Sequence, residues 1–242
     1  MPALNAARTL ERTVRDLPAG WVDDVVLVDD YSHDDTLAVA RGLGLHAIGH
    51  PSRRGYGGNQ KTCYGEALGR GADICVMVHP DHQYDPRAIP ELVGPLLDGS
   101  CDAVFGSRIL GGGARAGGMP WWKYVANVAL TAAANRAFGI RLTEYHSGLR
   151  AYHRRYLDAV NLAANADGFV FDTQIIAQGV MRGLRFREIA IATRYFPEAS
   201  QIGFFRSVHY GLAFLAVLAR YRLHQSGCLR SRIFVSTEAS AG

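Results

Sequence analysis

A chain of 242 residues, 48% apolar and 20% charged, can bury a full core within one large domain, and its formal charge of +4 is modest enough that no nucleic-acid partner is expected. No run approaches the roughly 20 apolar residues that cross a bilayer, the longest near the C-terminus being Leu212 to Ala219, and the start carries no charged-then-apolar leader. A cytoplasmic protein, free or peripheral at the inner membrane face, is the expectation, and Cys63, Cys75, Cys101 and Cys228 form no Cys-x-x-Cys pair, so they read as reduced structural thiols.

The first half alternates helix and strand signals. Asn5 to Leu17 predicts a helix with Asn5 as N-cap and Leu10, Val14 and Leu17 on one face. Asp24 to Val28 predicts a β-branched strand running into Asp29-Asp30, after which Asp34-Asp35-Thr36 caps a helix carrying Leu37, Ala40 and Leu43. Leu45 to Gly49 is a short strand, Gly57 to Gly71 a helix, Ile74 to Val78 a strong strand, Pro86 to Leu97 a helix and Ala103 to Gly106 a strand. Such alternation implies right-handed βαβ units and a mostly parallel sheet flanked by helices. An apolar strand ahead of the first helix is missing, because Met1 stands directly before Pro2-Ala3-Leu4-Asn5; a truncated start is the expected reason, since a lost central strand exposes sheet edges.

Beyond Gly106 the pattern changes. Gly111 to Gly118 reads as a mobile connection, Trp121 to Phe138 as a long helix, Arg185 to Ala192 as a late strand and Phe205 to Leu223 as a helix apolar over most of its circumference. Residues 1–232 thus form a single domain with an interfacial C-terminal helix at about 205–223, and 233–242 are expected to be a disordered tail. Between Arg182 and Arg232 nine arginines face two acidic residues and are interleaved with aromatics, which suits anionic lipid head groups, nucleic acid, a phosphorylated substrate, or a plain solvated helix face.

The sharpest local signal is Val76-Met77-Val78-His79-Pro80-Asp81-His82-Gln83, where a buried strand breaks into imidazole, carboxylate and amide at its carboxyl end, the place where open α/β sheets bind ligands. Asp81 and Gln83 stand two apart and so offer oxygens on the same side of an extended backbone. Arg53-Arg54-Gly55-Tyr56-Gly57-Gly58-Asn59 lacks the Gly-Lys-Ser/Thr ending of a phosphate-cradling P-loop, and it reads equally as a loop near the nucleotide or as a surface loop.

With Pro2-Ala3-Leu4-Asn5-Ala6, Val28-Asp29-Asp30 through Thr36, Asp81-x-Gln83, Gly106-Ser107-Arg108 and Ser147-Gly148-Leu149-Arg150-Ala151-Tyr152 in this order, the chain resembles family 2 glycosyltransferases over about residues 2–210. The resemblance is to the branch of dolichyl-phosphate mannose synthases and bacterial polyprenyl-phosphate glycosyltransferases. It implies a GT-A fold, a nucleotide-diphosphate-sugar donor, a divalent metal, Mn2+ or Mg2+, and inversion at the anomeric carbon. It places Pro2, Ala3, Asn5, Asp29, Asp30 and Arg54 around the nucleotide, with Pro2 and Ala3 on a loop, and Asp81 and Gln83 at the metal. Related chains carry Asp where His79 stands, so His79 is either a third metal ligand, favouring manganese, or a hydrogen-bonded neighbour.

Arg108 and Arg150 are expected to orient an acceptor phosphate, and Arg194 to Ser200 to close over the donor as a lid. Glu144 is a general-base candidate for a hydroxyl acceptor, whereas an acceptor phosphate is already anionic and needs no base. Gln174, where related chains carry Glu, is expected near sugar or acceptor. The reading that follows is an inverting transferase acting on a polyprenyl phosphate. Transfer to a saccharide hydroxyl, a sugar nucleotidyltransferase and a catalytically inactive membrane-associated scaffold stand as alternatives. Oligomeric state is not legible in the sequence.

Overall fold

The computed structural model describes residues 1–193 and 204–235. Among the described residues seven strands fall into two sheets. β1 (Pro2–Ala3), β2 (Val26–Asp29) and β3 (His46–Gly49) form a parallel sheet in the order β1-β2-β3, with α1 (Ala7–Arg15) and α2 (Thr36–Gly42) as the connections. After α3 (Gly55–Gly69), β4 (Ile74–Met77) opens a second sheet. It continues through α4 (Ile89–Leu97), β5 (Ala103–Ser107), the four-residue α5 (Gly113–Ala116), α6 (Trp121–Phe138), β6 (Arg150–His153), α7 (Arg154–Ala159), α8 (Phe171–Met181), β7 (Phe186–Ala190) and α9 (Phe204–Gln225). Its order is β4-β6-β5-β7, with β6 antiparallel to both neighbours and β7 parallel to β5. The sheet is therefore mixed rather than mostly parallel in this half.

Strand pleating sorts the core into two layers. Leu27, Val78, Val104 and Ala151 pack with Leu10, Ile89 and Leu92 on one face, while their chain neighbours Val28, Met77, Phe105 and Tyr152 pack with Tyr64, Phe171, Ile175 and Phe214 on the other. That alternation is the two-residue period of a strand buried on both sides. The four cysteines are free thiols, three of them buried.

Several local expectations are corrected. A two-residue strand, Pro2–Ala3, does stand ahead of the first helix, paired with Val28 and Asp29. They lie in a strand and not on a loop, and both are buried. Asn5 is no N-cap: its φ is +52°, and its side chain accepts from His33 N at 2.9 Å. The cap comes from across the sheet, where Asp34 accepts from Ala7 N at 3.1 Å and from Thr36 N at 3.1 Å, tying the starts of α1 and α2 together. Ile233 and Phe234 are buried, with Phe234 edge-on to Tyr221 at 5.8 Å, so order extends past the expected boundary at residue 232. The lid expected at residues 194–200 lies outside the described residues.

Candidate active site

The carboxyl ends of β2 and β4 and the start of α3 carry the candidate chemistry. Asp29 and Asp30 end β2, and the two carboxylates are spent differently. Asp30 accepts from Arg54 N at 2.7 Å, Gly55 N at 2.9 Å and His50 Nδ1 at 3.0 Å, so both its oxygens hold the loop that begins α3. Asp29 is tied to Ser32, through the hydroxyl and through the main-chain NH at 3.1 Å. Ser32 Oγ also accepts from Asn5 N at 2.7 Å, which links the β1 and β2 ends. The Arg53 and Arg54 side chains are exposed on this rim.

The Gly-rich segment does not cradle phosphate with its backbone. Asp167 O takes Gly57 N at 2.7 Å and Gly58 N at 3.3 Å, so the amides at the start of α3 are satisfied within the protein. A Cβ on Gly57 would stand 2.5 Å from Ala166 O and 2.7 Å from Phe171 Cβ; glycine lets α3 approach the start of α8.

This close approach delivers Tyr56 between β4 and α8. Its ring stacks on His79 with centroids 5.7 Å apart and planes 12° from parallel, and its hydroxyl donates to Asp172 Oδ2 at 2.9 Å. His79 Nε2 lies 3.5 Å from the same hydroxyl, and the ring packs against Gly148, where an added Cβ would stand 2.6 Å from Cδ2. Burial lowers the His79 pKa, only partly opposed by the Asp81 and Asp172 charges, so the imidazole is neutral. With its nitrogen directed at Tyr56, His79 fits a hydrogen-bonded neighbour better than a ligand.

One oxygen of Asp81 accepts from Gln83 N at 3.1 Å, and among the described residues the half-exposed group is in no ion pair. Among the described residues no three His, Cys, Asp or Glu side chains converge on a point that could hold a metal ion. A single carboxylate with spare acceptor capacity, beside an amide at Gln83, suits a hard cation that takes its remaining oxygens from a bound diphosphate and water. His82 is turned away and pairs with Asp16 at 2.8 Å.

The residues expected at the acceptor are placed otherwise. Glu144 is 1% exposed; it accepts from Arg108 N at 2.7 Å, Arg108 Nε at 2.8 Å and Asn127 Nδ2 at 2.7 Å. Burial pushes its carboxyl up, but the Arg108 guanidinium and these hydrogen bonds outweigh it and hold the pKa below the ordinary carboxylate value. Such a group is a poor general base, which corrects that expectation. Arg108 engages Glu144 through both main chain and side chain rather than being displayed to solvent. Arg150 is 2% exposed and turned inward: it donates to Ser147 O at 2.8 Å and Tyr145 O at 2.9 Å, lies 3.3 Å from Asp172 Oδ1 and sits over the Phe105 ring at 5.3 Å. It cannot orient an acceptor in this arrangement. Gln174 is likewise buried, accepting from Ala166 N at 2.7 Å. Tyr56 and Asp172, which knit β4 to α8, had no assigned role in the sequence reading; the aromatic after Gly55 and the Asp after Phe171 are the only local signals.

His146 adds a pH-sensitive element beside these groups. Burial lowers its pKa to about 4, and its Nδ1 lies 2.9 Å from the Tyr210 hydroxyl. The unfolded chain, with a pKa near 6.5, binds a proton that the fold refuses, so stability falls as pH drops through that window. A shift of this size corresponds to on the order of 3 kcal/mol. His146→Phe should flatten the stability-versus-pH curve between pH 6.5 and 4, as read by urea denaturation; an unchanged slope would place the acid sensitivity elsewhere.

Comparison with known proteins places this geometry. The sequence pattern of glycosyl transferase family 2 matches residues 1–160. A UDP-N-acetylglucosamine–dolichyl-phosphate N-acetylglucosaminyltransferase of Methanococcus voltae is 27% identical over 212 residues, 81% of this chain and 84% of that one. An undecaprenyl-phosphate mannosyltransferase of Micrococcus luteus is 27% identical over 198 residues, 79% of this chain and 80% of that one. Glucosyl-3-phosphoglycerate synthase of Mycobacterium tuberculosis, solved with Mn2+, uridine diphosphate and phosphoglyceric acid, superposes with a TM-score of 0.71 at 22% identity, covering 91% of this chain and 76% of that one. The fold is GT-A, and with the family pattern spanning β1 through α7 the chain belongs to glycosyl transferase family 2.

Proposed function

We propose that the protein is an inverting transferase that moves a sugar from a nucleoside diphosphate sugar to a polyprenyl phosphate at a membrane face. The observation that carries the choice of acceptor is the state of Glu144. The one carboxylate expected to serve as base is buried and locked to Arg108, which suits an acceptor that needs no deprotonation. Relatives named for dolichyl-phosphate and undecaprenyl-phosphate transfer support the same reading.

On the donor side, Asp29, Asn5 and Arg54 line the rim at the β2 end and are the groups assigned to the nucleotide, with Asp30 fixing the Arg54 loop beneath them. Asp81, with Gln83 beside it, would hold a divalent cation, Mn2+ or Mg2+, which when bound supplies charge neutralisation for the diphosphate. The acceptor oxygen attacks the anomeric carbon from the side opposite the leaving diphosphate. The Tyr56–His79 stack and the Asp172 contact fix the β4 end in place for that geometry.

The membrane assignment rests on α6 and α9. Trp121 is 69% exposed, Val125 56% and Leu212 64%, with Val128, Val208 and Leu215 also exposed. Between the same helices lies a cavity of about 440 Å3 lined by Ala133, Ala137, Leu215, Leu218 and Ala219 and edged by Arg136 and Arg222. An apolar surface with cationic edges suits a lipid interface. Among the described residues no helix is long and apolar enough to cross a membrane.

A screen of uridine, guanosine and thymidine diphosphate sugars with Mn2+ or Mg2+ tests the proposal, first by thermal shift and then by transfer to a short prenyl phosphate. At least one donor should stabilise the protein only with metal and give a prenyl-linked product. No stabilisation under either metal, or transfer confined to a saccharide hydroxyl, would remove it. Glu144→Gln sharpens the acceptor choice. It leaves Arg108 buried beside a neutral amide, so a stability loss of about 3 kcal/mol is expected. Turnover of the folded protein, assayed well below its melting temperature, should stay within about threefold of the parent, whereas a loss of about 100-fold or more would restore the general base.

A further inference from the structure

The turn that carries Asp81 is built around His82. An Asp81 oxygen accepts from Gln83 N at 3.1 Å, so the carboxylate on one side of His82 and the amide on the other are set by the conformation of the residue between them. That conformation is left-handed, with φ at +55°, which a residue with a Cβ adopts only where its surroundings impose it.

α1 supplies those surroundings. The His82 side chain is wholly buried, and its Nε2 lies 2.8 Å from Asp16 Oδ2 at the C-terminal end of that helix. A carboxylate only accepts, so Nε2 carries the proton and donates. Three residues back on the same helix face, buried Thr13 holds its hydroxyl 3.1 Å from Pro80 O, which fastens the turn at a second point just ahead of Asp81. The other end of α1 is tied to the rim assigned to the nucleotide. Asn5 N donates to Ser32 Oγ at 2.7 Å, Ala6 N to Thr36 Oγ1 at 2.8 Å and Ala7 N to Asp34 Oδ2 at 3.1 Å, and Ser32 is itself bonded to Asp29. One helix therefore joins the Asp29 end to the Asp81 end.

We propose that His82 and Asp16 are positioning residues for the divalent cation. Resting on the proposed function, the inference adds how Asp81 is aimed: the His82–Asp16 bond holds the left-handed turn, the turn orients the Asp81 carboxylate, and α1 keeps that carboxylate in fixed relation to the nucleotide rim. A site with few protein ligands depends on the placement of each one, and outer partners of metal ligands are commonly worth tenfold or more in metal affinity. Asp16 suits this role without being a pillar of the fold. Its side chain is 26% exposed, and α1 keeps its packing through buried Leu10 and Thr13 when the carboxylate is removed.

The test compares the parent with Asp16→Ala, Asp16→Asn and His82→Leu. The probe is Mn2+ with uridine, guanosine or thymidine diphosphate, free Mn2+ being read by electron paramagnetic resonance, and hydrogen exchange at the Gln83 amide reads the turn with no ligand present. Asp16→Ala should weaken Mn2+ binding about tenfold and speed Gln83 exchange, while binding of the diphosphate without metal stays within about threefold of the parent. Asp16→Asn keeps an oxygen that accepts from His82 and should restore Mn2+ binding to within about threefold. His82→Leu should match Asp16→Ala, and the double variant should be no weaker than either single, because each removes the same bond. Mn2+ binding by Asp16→Ala equal to that of the parent, failure of Asp16→Asn to restore it, or additive losses in the double variant would each overturn the positioning role while leaving the proposed function standing. A parent that binds Mn2+ with none of the three diphosphates would overturn the proposed function and this inference with it.

Discussion

Asp81→Asn is expected to lower kcat on the true donor and acceptor by about 10^3-fold while leaving the unfolding free energy within about 1 kcal/mol of the parent. The separation of the two effects follows from how little the carboxylate does in the fold. It accepts one hydrogen bond, from Gln83 N at 3.1 Å, which an asparagine oxygen accepts equally well. Among the described residues its negative charge has no partner in an ion pair, unlike that of neighbouring Asp85, which pairs with Arg87 at 2.8 Å. On the proposed function the charge serves a cation on the departing diphosphate. Single-turnover transfer beside urea denaturation checks both halves. Activity within tenfold of the parent would show that the cation, if used, is held elsewhere.

His79 has a different role in the same strand end. The neutral ring lies between Tyr56 and Gly148, so it supports the position of Asp81 by packing. The family resemblance implies a carboxylate there; here the stack with Tyr56 occupies that place. On the proposed function, the charge facing a bound diphosphate is correspondingly smaller. Affinity for the cation should then depend more strongly on the donor's own phosphate oxygens, which is the behaviour of a site with few protein ligands.

The strands and helices of the first half were legible because their cause is local. β-branched runs with polar ends, such as Val26 to Asp29 and Ile74 to Met77, form strands wherever helices can cover them. β6 was not read as a strand, because Arg150 and His153 in a four-residue run carry no apolar alternation, and its antiparallel place between β4 and β5 is a property of the sheet. α8 was opaque for a related reason. Asp172, Thr173, Gln174 and Gln178 are buried among apolar residues, so no polar face marks the helix. In the site, the sequence pointed to Asp29, Asp30 and Asp81 because carboxylates at strand ends announce themselves. It could not distinguish displayed charges from paired ones. Arg108 and Arg150 look like phosphate ligands until Glu144 and Asp172 are seen to meet them, and those partners are brought in by folding.

Arg150 offers the second large effect, and on stability instead of catalysis. Arg150→Met should cost about 3–5 kcal/mol, because the guanidinium holds Ser147 O, Tyr145 O and Asp172 at once and its removal strands a carboxylate that is only 7% exposed. In a chain of this size that corresponds to a drop in melting temperature of about 10 °C. The double variant Arg150→Met with Asp172→Asn should recover part of the loss, since the amide keeps an acceptor for Tyr56 without an unpaired charge. Urea denaturation of the two singles and the double gives the coupling. The opposite pattern, a hundredfold fall in transfer with unchanged stability, would return Arg150 to the acceptor phosphate. Recovery in the double variant would instead fix it as the brace between β6 and α8, on which the Tyr56 and His79 stack depends.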